Sequence, residues 1–143
     1  MIAVDTNILV YAHRAESTFH TRARASIRGL WEATDPWAIP WPCVHEFLAT
    51  VTKRSMLPAP TPVMLATDQV KELMLSESLV LLGEGPGYFD RLARLLEDAS
   101  VDGARIHDAR IAAICLDHRV SEFWTADRDF ASFPTLPTRN PLV

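Results

Sequence analysis

Four acidic residues of this 143-residue chain stand where their carboxylates can act together. Asp5 follows an apolar run at the N-terminus, and Asp127 follows a second apolar run at residues 122–126. Glu46 and Asp108 each fall in the first turns of a predicted helix. Ligands of open parallel sheets bind outside the carboxyl ends of the strands, where helices begin. We therefore expect Asp5, Asp127 and Glu46 at that edge, with Asp108 joining them through the tertiary fold.

The surroundings of Asp108 and Asp5 favour a metal site. Ile111, Ala112 and Cys115 share one side of the predicted helix with Asp108, and Asp5 lies between two apolar runs. A buried acid is unfavourable unless it is paired or binds a metal, and crowded carboxylates raise one another's pKa. Ligands that are all oxygen favour Mg²⁺ or Mn²⁺ over zinc. Such an ion serves phosphoryl chemistry, because it activates water and stabilises the leaving oxygen.

Each acid also has a simpler interpretation when it is taken alone. Asp5 and Asp108 can cap helices, and the helix dipole favours Glu46 in a first turn. Asp129 lies two residues after Asp127 and is either a further ligand or a cap for the following turn. Only the joint placement of the acids favours a catalytic site.

The strands and helices that position these acids can be predicted from the pattern of apolar residues. Short apolar runs alternate with pairs of amphipathic segments. Strands are predicted at residues 1–4, 37–41, 79–82 and 122–126. Helices are predicted at residues 8–12, 20–34, 62–75, 89–99 and 105–118, with a further helix that begins at Pro42. Such βαα units imply a parallel sheet covered on both faces. The prediction is a three-layer α/β/α fold with a small central parallel sheet, formed by residues 1–143 as a single domain.

Composition excludes several classes of protein. The chain is 48% apolar and 22% charged, and no apolar run approaches the length of a membrane span. Its N-terminus has no basic segment, and two cysteines do not make a disulfide framework. We therefore expect a cytoplasmic protein with no membrane partner. The net charge of −4 does not exclude RNA: if four carboxylates share a metal pocket, the other 14 acids balance the 14 bases.

Three other patterns are given structural interpretations. Cys43 and His45 are two residues apart on a predicted helix, so they point to different sides and are poor joint zinc ligands. The glycine-rich segment 83–87 is followed by no Gly-Lys-Ser/Thr and is predicted to be a turn. The four tryptophans are predicted to lie in the core: Trp31, Trp37, Trp41 and Trp124.

Four short segments resemble the acidic motifs of PIN-domain ribonucleases, and most closely those of VapC toxins. The segments are Val4-Asp5-Thr6-Asn7-Ile8-Leu9, His45-Glu46-Phe47, His107-Asp108-Ala109 and Thr125-Ala126-Asp127-Arg128-Asp129-Phe130. No single segment is specific to this family, but the occurrence of all four in this order in a chain of this length is specific. The resemblance covers nearly the whole chain.

The resemblance implies a Rossmann-like fold and a metal-dependent endoribonuclease that cleaves RNA with Mg²⁺ or Mn²⁺. It makes Asp5, Glu46, Asp108 and Asp127 the metal-binding and catalytic residues, with Asp129 as a secondary ligand. It also implies a toxin of a VapBC-type toxin–antitoxin pair, inhibited by a small VapB-like antitoxin, and a homodimer.

Four further residues are candidates because they flank these acids. Thr6 and Asn7 are placed to hydrogen-bond the Asp5 carboxylate or a metal-bound water, or to form a plain turn. Arg105 and Arg110 flank Asp108 and are candidates for substrate contact.

Two other functions stay open at this stage. One is a non-catalytic PIN-like binding module. The other is an aspartate-based phosphatase or phosphotransfer domain with Asp5 as nucleophile. That chemistry needs a second acid where this chain has Asn7 and a lysine in the pocket, and only Lys53 and Lys71 are available.

Overall fold

A computed structural model describes residues 1–143 and contains one five-stranded sheet in which every pairing is parallel. The strands are β1 (Ile2–Val4), β2 (Trp37–Pro40), β3 (Leu79–Leu82), β4 (Glu122–Trp124) and β5 (Thr138–Arg139). Their order in the sheet is β3-β2-β1-β4-β5. The predicted α/β class and its small parallel sheet are confirmed.

Pairs of helices connect the first four strands. They are α1 (Thr6–His13), α2 (His20–Glu32), α3 (Trp41–Thr52), α4 (Val63–Leu73), α5 (Tyr88–Ala99) and α6 (Ile106–Asp117). Two short 3₁₀ helices, Gly103–Arg105 and Arg128–Ser132, precede α6 and follow β4. The predicted βαα connections and the three-layer arrangement are therefore confirmed. None of these helices combines the length and the apolar character that crossing a membrane requires.

The strand order changes direction at β1, which lies in the middle of the sheet. From β1 the chain adds β2 and β3 on one side, and then returns to place β4 and β5 on the other side. Val4 is in register with Trp124, and the backbone N–H of Asp5 donates to the Trp124 carbonyl at 2.9 Å. The residues that follow β1 and β4 are therefore neighbours, at the position where open α/β sheets bind ligands.

The core lies on both faces of the sheet. Trp37, Phe47 and Phe123 are among its largest fully buried side chains. Helix α6 is buried from Ile111 to Cys115, so the residues that follow Asp108 on this helix are apolar. Cys43 and Cys115 are both buried and unbridged.

Some sequence predictions are wrong in detail. Strand β5 was not predicted, because its two residues are exposed and polar and it is held by backbone pairing. Helix α1 begins at Thr6 rather than at Ile8, because the Asp5 side chain caps it. Strand β4 ends at Trp124 rather than Ala126.

The tryptophans are only partly in the core. Trp37 is fully buried, as predicted, and Trp124 is half-buried against the core. Trp31 and Trp41 are exposed by 43% and 37%, so the prediction is wrong for both. Trp31 lies beside the buried stripe of α2, and Trp41 is the first residue of α3, where no preceding turn covers it.

Candidate active site

Asp5 lies at the carboxyl end of β1 and is almost completely buried. Its Oδ1 accepts a hydrogen bond from the Thr6 backbone N–H at 2.7 Å. Its Oδ2 accepts from Asn7 Nδ2 and from Thr125 Oγ1, both at 2.6 Å. Burial raises the pKa of Asp5 to about 6, although these hydrogen bonds favour the charged form. Asp5 is therefore both the cap of α1 and a poorly solvated carboxylate.

Thr6 connects Asp5 to the second predicted acid, Glu46. The Thr6 hydroxyl donates to Glu46 Oε2 at 2.7 Å, while its backbone N–H binds Asp5. Glu46 lies on α3 with an exposed side chain, and its charge contributes to the raised pKa of Asp5. The two carboxylates are thus held side by side by a single residue.

A second group of acids lies near the end of β4, the strand next to β1. Asp108, Asp127 and Asp129 each offer a carboxylate oxygen, and these three atoms lie within 4.8 Å of one another. Asp127 caps the 3₁₀ helix after β4, because its Oδ1 accepts from the Asp129 N–H at 2.9 Å. Burial and the charge of Asp127 raise the pKa of the half-buried Asp108. The positive charges of the protein therefore do not fully offset the repulsion among these carboxylates.

All four predicted acids line one cleft of about 280 Å³. Asp5 and Glu46 stand on one side and Asp108 and Asp127 on the other, with Thr6 and Asn7 also in the lining. Asp129 is not part of this lining, although its carboxylate lies beside those of Asp108 and Asp127. The structure thus brings the four acids together and places Asp129 at the edge.

Thr125 is a site residue that was not among the predicted ones, and it bonds to both Asp5 and Asp127. Its hydroxyl donates to Asp5 Oδ2 and accepts from the Asp127 N–H at 2.9 Å. Asn7 strengthens the same link, because its Nδ2 donates to Thr125 Oγ1 at 3.2 Å and its Oδ1 accepts from the Ala126 N–H at 3.0 Å. In the sequence, Thr125 stands out only as the first residue of the fourth acidic motif, two residues before Asp127.

The two candidate arginines are both engaged within the protein. Arg105 donates through Nη2 to the Asp129 carbonyl at 2.9 Å and to Ser132 Oγ at 2.7 Å, and its buried Nε has no partner. Arg110 forms an ion pair with Glu84 at 2.5 Å. Arg105 therefore contacts the turn that carries the acids, whereas Arg110 contacts the turn after β3.

The cysteines do not form a zinc site with the nearby histidines. Cys43 is completely buried, with Sγ 3.8 Å from Asp5 Oδ1, whereas His45 is exposed on α3. Burial keeps the pKa of Cys43 well above its ordinary value, so the thiol stays protonated.

The donor set fits a hard divalent cation. The carboxylates in the cleft supply only oxygen atoms, and burial together with the charge of Asp127 raises the pKa of Asp108, so a cation would stabilise its ionised form. No thiol or imidazole of this chain lines the cleft. Mg²⁺ and Mn²⁺ are the ions that match this chemistry.

Comparison with known proteins gives consistent matches along the chain. The model of the PIN domain family matches residues 2–136. Ribonuclease VapC43 of Mycobacterium tuberculosis is 32% identical over 142 residues, which cover 99% of this chain and 96% of that protein. The crystal structure of VapBC2 from Rickettsia felis, bound to a promoter DNA fragment, has a TM-score of 0.70 at 18% identity, with 98% of each chain covered.

A second solved structure has the same fold. The M. tuberculosis toxin VapC20, described as cleaving the sarcin–ricin loop, has a TM-score of 0.69 at 16% identity. The match covers 93% of this chain and 95% of that one.

Proposed function

This chain belongs to the PIN domain family, and we propose that it is a metal-dependent endoribonuclease, the toxin of a VapBC-type toxin–antitoxin pair. One observation above all supports the catalytic part of this proposal. Four carboxylates from four separate parts of the chain converge in one cleft at the carboxyl edge of the sheet. A protein that only binds a partner has no need for such mutual repulsion.

The metal would be held by the acids on the β4 side of the cleft. Asp108, Asp127 and Asp129 would supply ligands, and Asp5 and Glu46 would complete the site from the other side. When bound, Mg²⁺ or Mn²⁺ supplies positive charge that stabilises the phosphate and makes water a better nucleophile.

The side chains of the cleft have distinct parts in hydrolysis. Water attacks phosphorus, its hydroxyl group bonds to the phosphorus, and the 3′ oxygen leaves and takes up a proton. Glu46 is the carboxylate best placed to accept the proton of the attacking water, since Thr6 holds Oε2 and Oε1 has no hydrogen-bond partner. Asp5 is fixed by three donors and therefore orients its neighbours rather than moving.

The geometry disfavours the phosphatase alternative. Both oxygens of Asp5 accept hydrogen bonds, which lowers the nucleophilicity of the carboxylate toward a phosphate. The cleft also has no lysine in its lining. Asp5 therefore stays a proposed residue of the metal site.

The partners of the enzyme follow from the same proposal. The structural neighbours include toxin–antitoxin complexes, which supports a small VapB-like antitoxin as the inhibitor of this chain. RNA is the proposed substrate, and the homodimer and the cytoplasmic location stay predictions. Co-expression with a candidate VapB-like antitoxin tests this partner. Relief of growth arrest together with co-elution in one complex is the expected result.

Cleavage of purified RNA tests the nuclease itself. Total RNA, transfer RNA and ribosomal RNA are incubated with the protein and Mg²⁺ or Mn²⁺, with and without EDTA. We expect discrete fragments that disappear with EDTA and with Asp108→Asn. Asp98→Asn is the matched control, because Asp98 is an exposed acid on α5 outside the cleft. Cleavage that survives in Asp108→Asn would refute the site. No cleavage of any RNA by the folded protein would favour the binding module.

A further inference from the structure

Trp41 and His45 form an exposed aromatic pair on α3. They lie one turn apart on the same helix face, with ring centroids 5.9 Å apart and ring planes inclined by 28°. Both side chains are exposed, and Trp41 lies outside the buried core cluster that holds Trp37. The pair therefore presents a flat aromatic surface that packing of the core does not explain.

This pair lies on the same edge of the sheet as the acidic cleft. Trp41 directly follows β2, and its Cδ1 lies 3.7 Å from the position of a Cβ on Gly83, directly after β3. Neighbouring strands are about 4.8 Å apart, so β3 is about 10 Å from β1, whose end carries Asp5. His45 immediately precedes Glu46. Helix α3 thus carries both the aromatic pair and Glu46, one of the carboxylates that line the cleft.

The charges around the pair permit an anionic chain to approach. Glu84, the nearest acid after β3, is neutralised by its ion pair with Arg110. Arg110 lies on α6, two residues beyond Asp108, and connects that helix to the turn under Trp41. Glu84 is therefore not a free negative charge, and Glu46 is the acid that directly follows the pair in the chain.

We propose that Trp41 and His45 form a stacking platform for an unpaired base of the RNA, adjacent to the phosphate that is cleaved. This inference rests on the proposed ribonuclease function. Unpaired bases of RNA stack on aromatic side chains, and the interaction tolerates any base because each has a π-face. A base on the outer face of the pair would place its strand along the edge where the carboxylates lie. Stacking also retains RNA at a cleft whose own charge repels phosphate.

The binding of a model RNA tests the platform directly. The probe is a 12-nucleotide oligoadenylate labelled with fluorescein, and its anisotropy is measured with Mg²⁺ in the cleavage-deficient Asp108→Asn background. We expect Trp41→Ala to weaken binding about tenfold and Trp41→Phe to retain most of it. Trp31→Ala is the matched control, because Trp31 is a similarly exposed tryptophan on α2. A second probe with the same backbone but abasic sites should bind the parent and Trp41→Ala alike.

Each other result would overturn the platform in a recognisable way. Equal affinity of Trp41→Ala and its parent for oligoadenylate, in a protein that cleaves RNA, would refute the platform and leave the nuclease intact. An equal loss for the abasic probe would indicate a structural effect of the substitution. A changed sedimentation coefficient in Trp41→Ala would assign the pair to a protein interface. A protein that neither cleaves RNA nor binds oligoadenylate would refute both proposals.

Discussion

The Thr125 hydroxyl donates a 2.6 Å hydrogen bond to Asp5 Oδ2, joining the ends of two neighbouring strands through side chains. The same hydroxyl accepts the Asp127 backbone N–H, so one buried oxygen fixes acids that are 122 residues apart in the chain. β1 and β4 are adjacent in the sheet, so one hydroxyl group is long enough to connect the residues that follow them. This connection fixes the position of Asp5 relative to Asp127.

Removal of this hydroxyl should damage both stability and the site. Thr125→Val keeps the shape of the side chain but removes one of the three donors to Asp5 and leaves the Asp127 N–H without its acceptor. We expect a loss of about 1–3 kcal/mol in the free energy of unfolding, measured in urea at pH 8. Thr125→Ser keeps the hydroxyl and should retain most of the stability and the cleavage rate. Equal losses in the serine and valine variants would show that packing of the methyl group matters more than the hydrogen bonds.

The buried Asp5 should give the metal-free protein a distinctive pH dependence. Its pKa is about 6 in the folded protein and 3.8 when unperturbed, so between these values the folded state binds more protons than the unfolded state. Stability from this group is therefore present at low pH and lost as the pH rises to about 6. The loss is at most about 3 kcal/mol, from the difference of the two pKa values.

This effect is measured as the difference in the free energy of unfolding between the wild type and Asp5→Asn, in urea and EDTA from pH 4 to pH 7. Asp5→Asn should remove the decline between pH 4 and pH 6 that the wild-type protein shows. Saturating Mg²⁺ should reduce the decline in the wild type, because a metal binds the ionised carboxylate. Parallel pH profiles of the wild type and Asp5→Asn would contradict the raised pKa.

Much of the fold could be predicted because its elements are short and clearly bounded. Strand β3 was predicted with the observed ends, since four apolar residues stand between turn residues. Asp5, Asp127 and Glu46 could be placed at one edge from chain position, because a parallel sheet collects its strand ends there. Asp108 needed the tertiary fold, and the set of four came from the resemblance to the PIN-domain motifs. Strand β5 could not be found this way, since Thr138 and Arg139 pair only through their backbone.

Side-chain contacts across the cleft were beyond the sequence. Thr125 has no pattern that separates a bridging hydroxyl from an ordinary strand residue. Trp41 lies at the first position of α3 and beside Gly83 after β3, a contact between separate elements that the periodicity of α3 does not contain. Whether Asp129 is a ligand or a cap was left open, and the structure gives the capping role to Asp127 while placing the Asp129 carboxylate among the candidate ligands.

Divalent cations should stabilise the folded protein through the acids near Asp108. At a concentration one hundred times its Kd, Mg²⁺ or Mn²⁺ should add about 2.7 kcal/mol to the free energy of unfolding. Asp108→Asn and Asp127→Asn should lose most of this gain. Without metal, the same variants should be at least as stable as the wild type, because each removes a repelling charge.

The response of Asp129→Asn decides the role of that residue. A loss of metal stabilisation comparable to that of Asp127→Asn would make Asp129 a ligand, and an unchanged response would leave it at the edge of the site. Asp98→Asn should show the full metal effect. A metal effect that persists in Asp108→Asn would place the ion elsewhere.

Arg105 offers a test between a substrate contact and a support for the acids. Its guanidinium binds the Asp129 carbonyl and Ser132 Oγ, and so holds the 3₁₀ helix that begins after Asp127 against the start of α6. Arg105→Ala should therefore weaken metal binding several-fold and lower the free energy of unfolding by about 1–3 kcal/mol. Titration calorimetry with Mn²⁺ measures the first effect. Ser132→Ala, which removes only one of the two contacts, should have the smaller effect on both quantities.

The salt dependence of RNA binding distinguishes the two roles of Arg105. A side chain that contacts a phosphate contributes about one unit to the slope of the logarithm of affinity against the logarithm of salt concentration. Because the Arg105 Nη2 is already occupied by Asp129 and Ser132, we expect Arg105→Ala to leave this slope unchanged while it weakens metal binding. A slope reduced by one unit, with metal affinity intact, would instead assign Arg105 to the RNA backbone, as its position beside Asp108 first suggested.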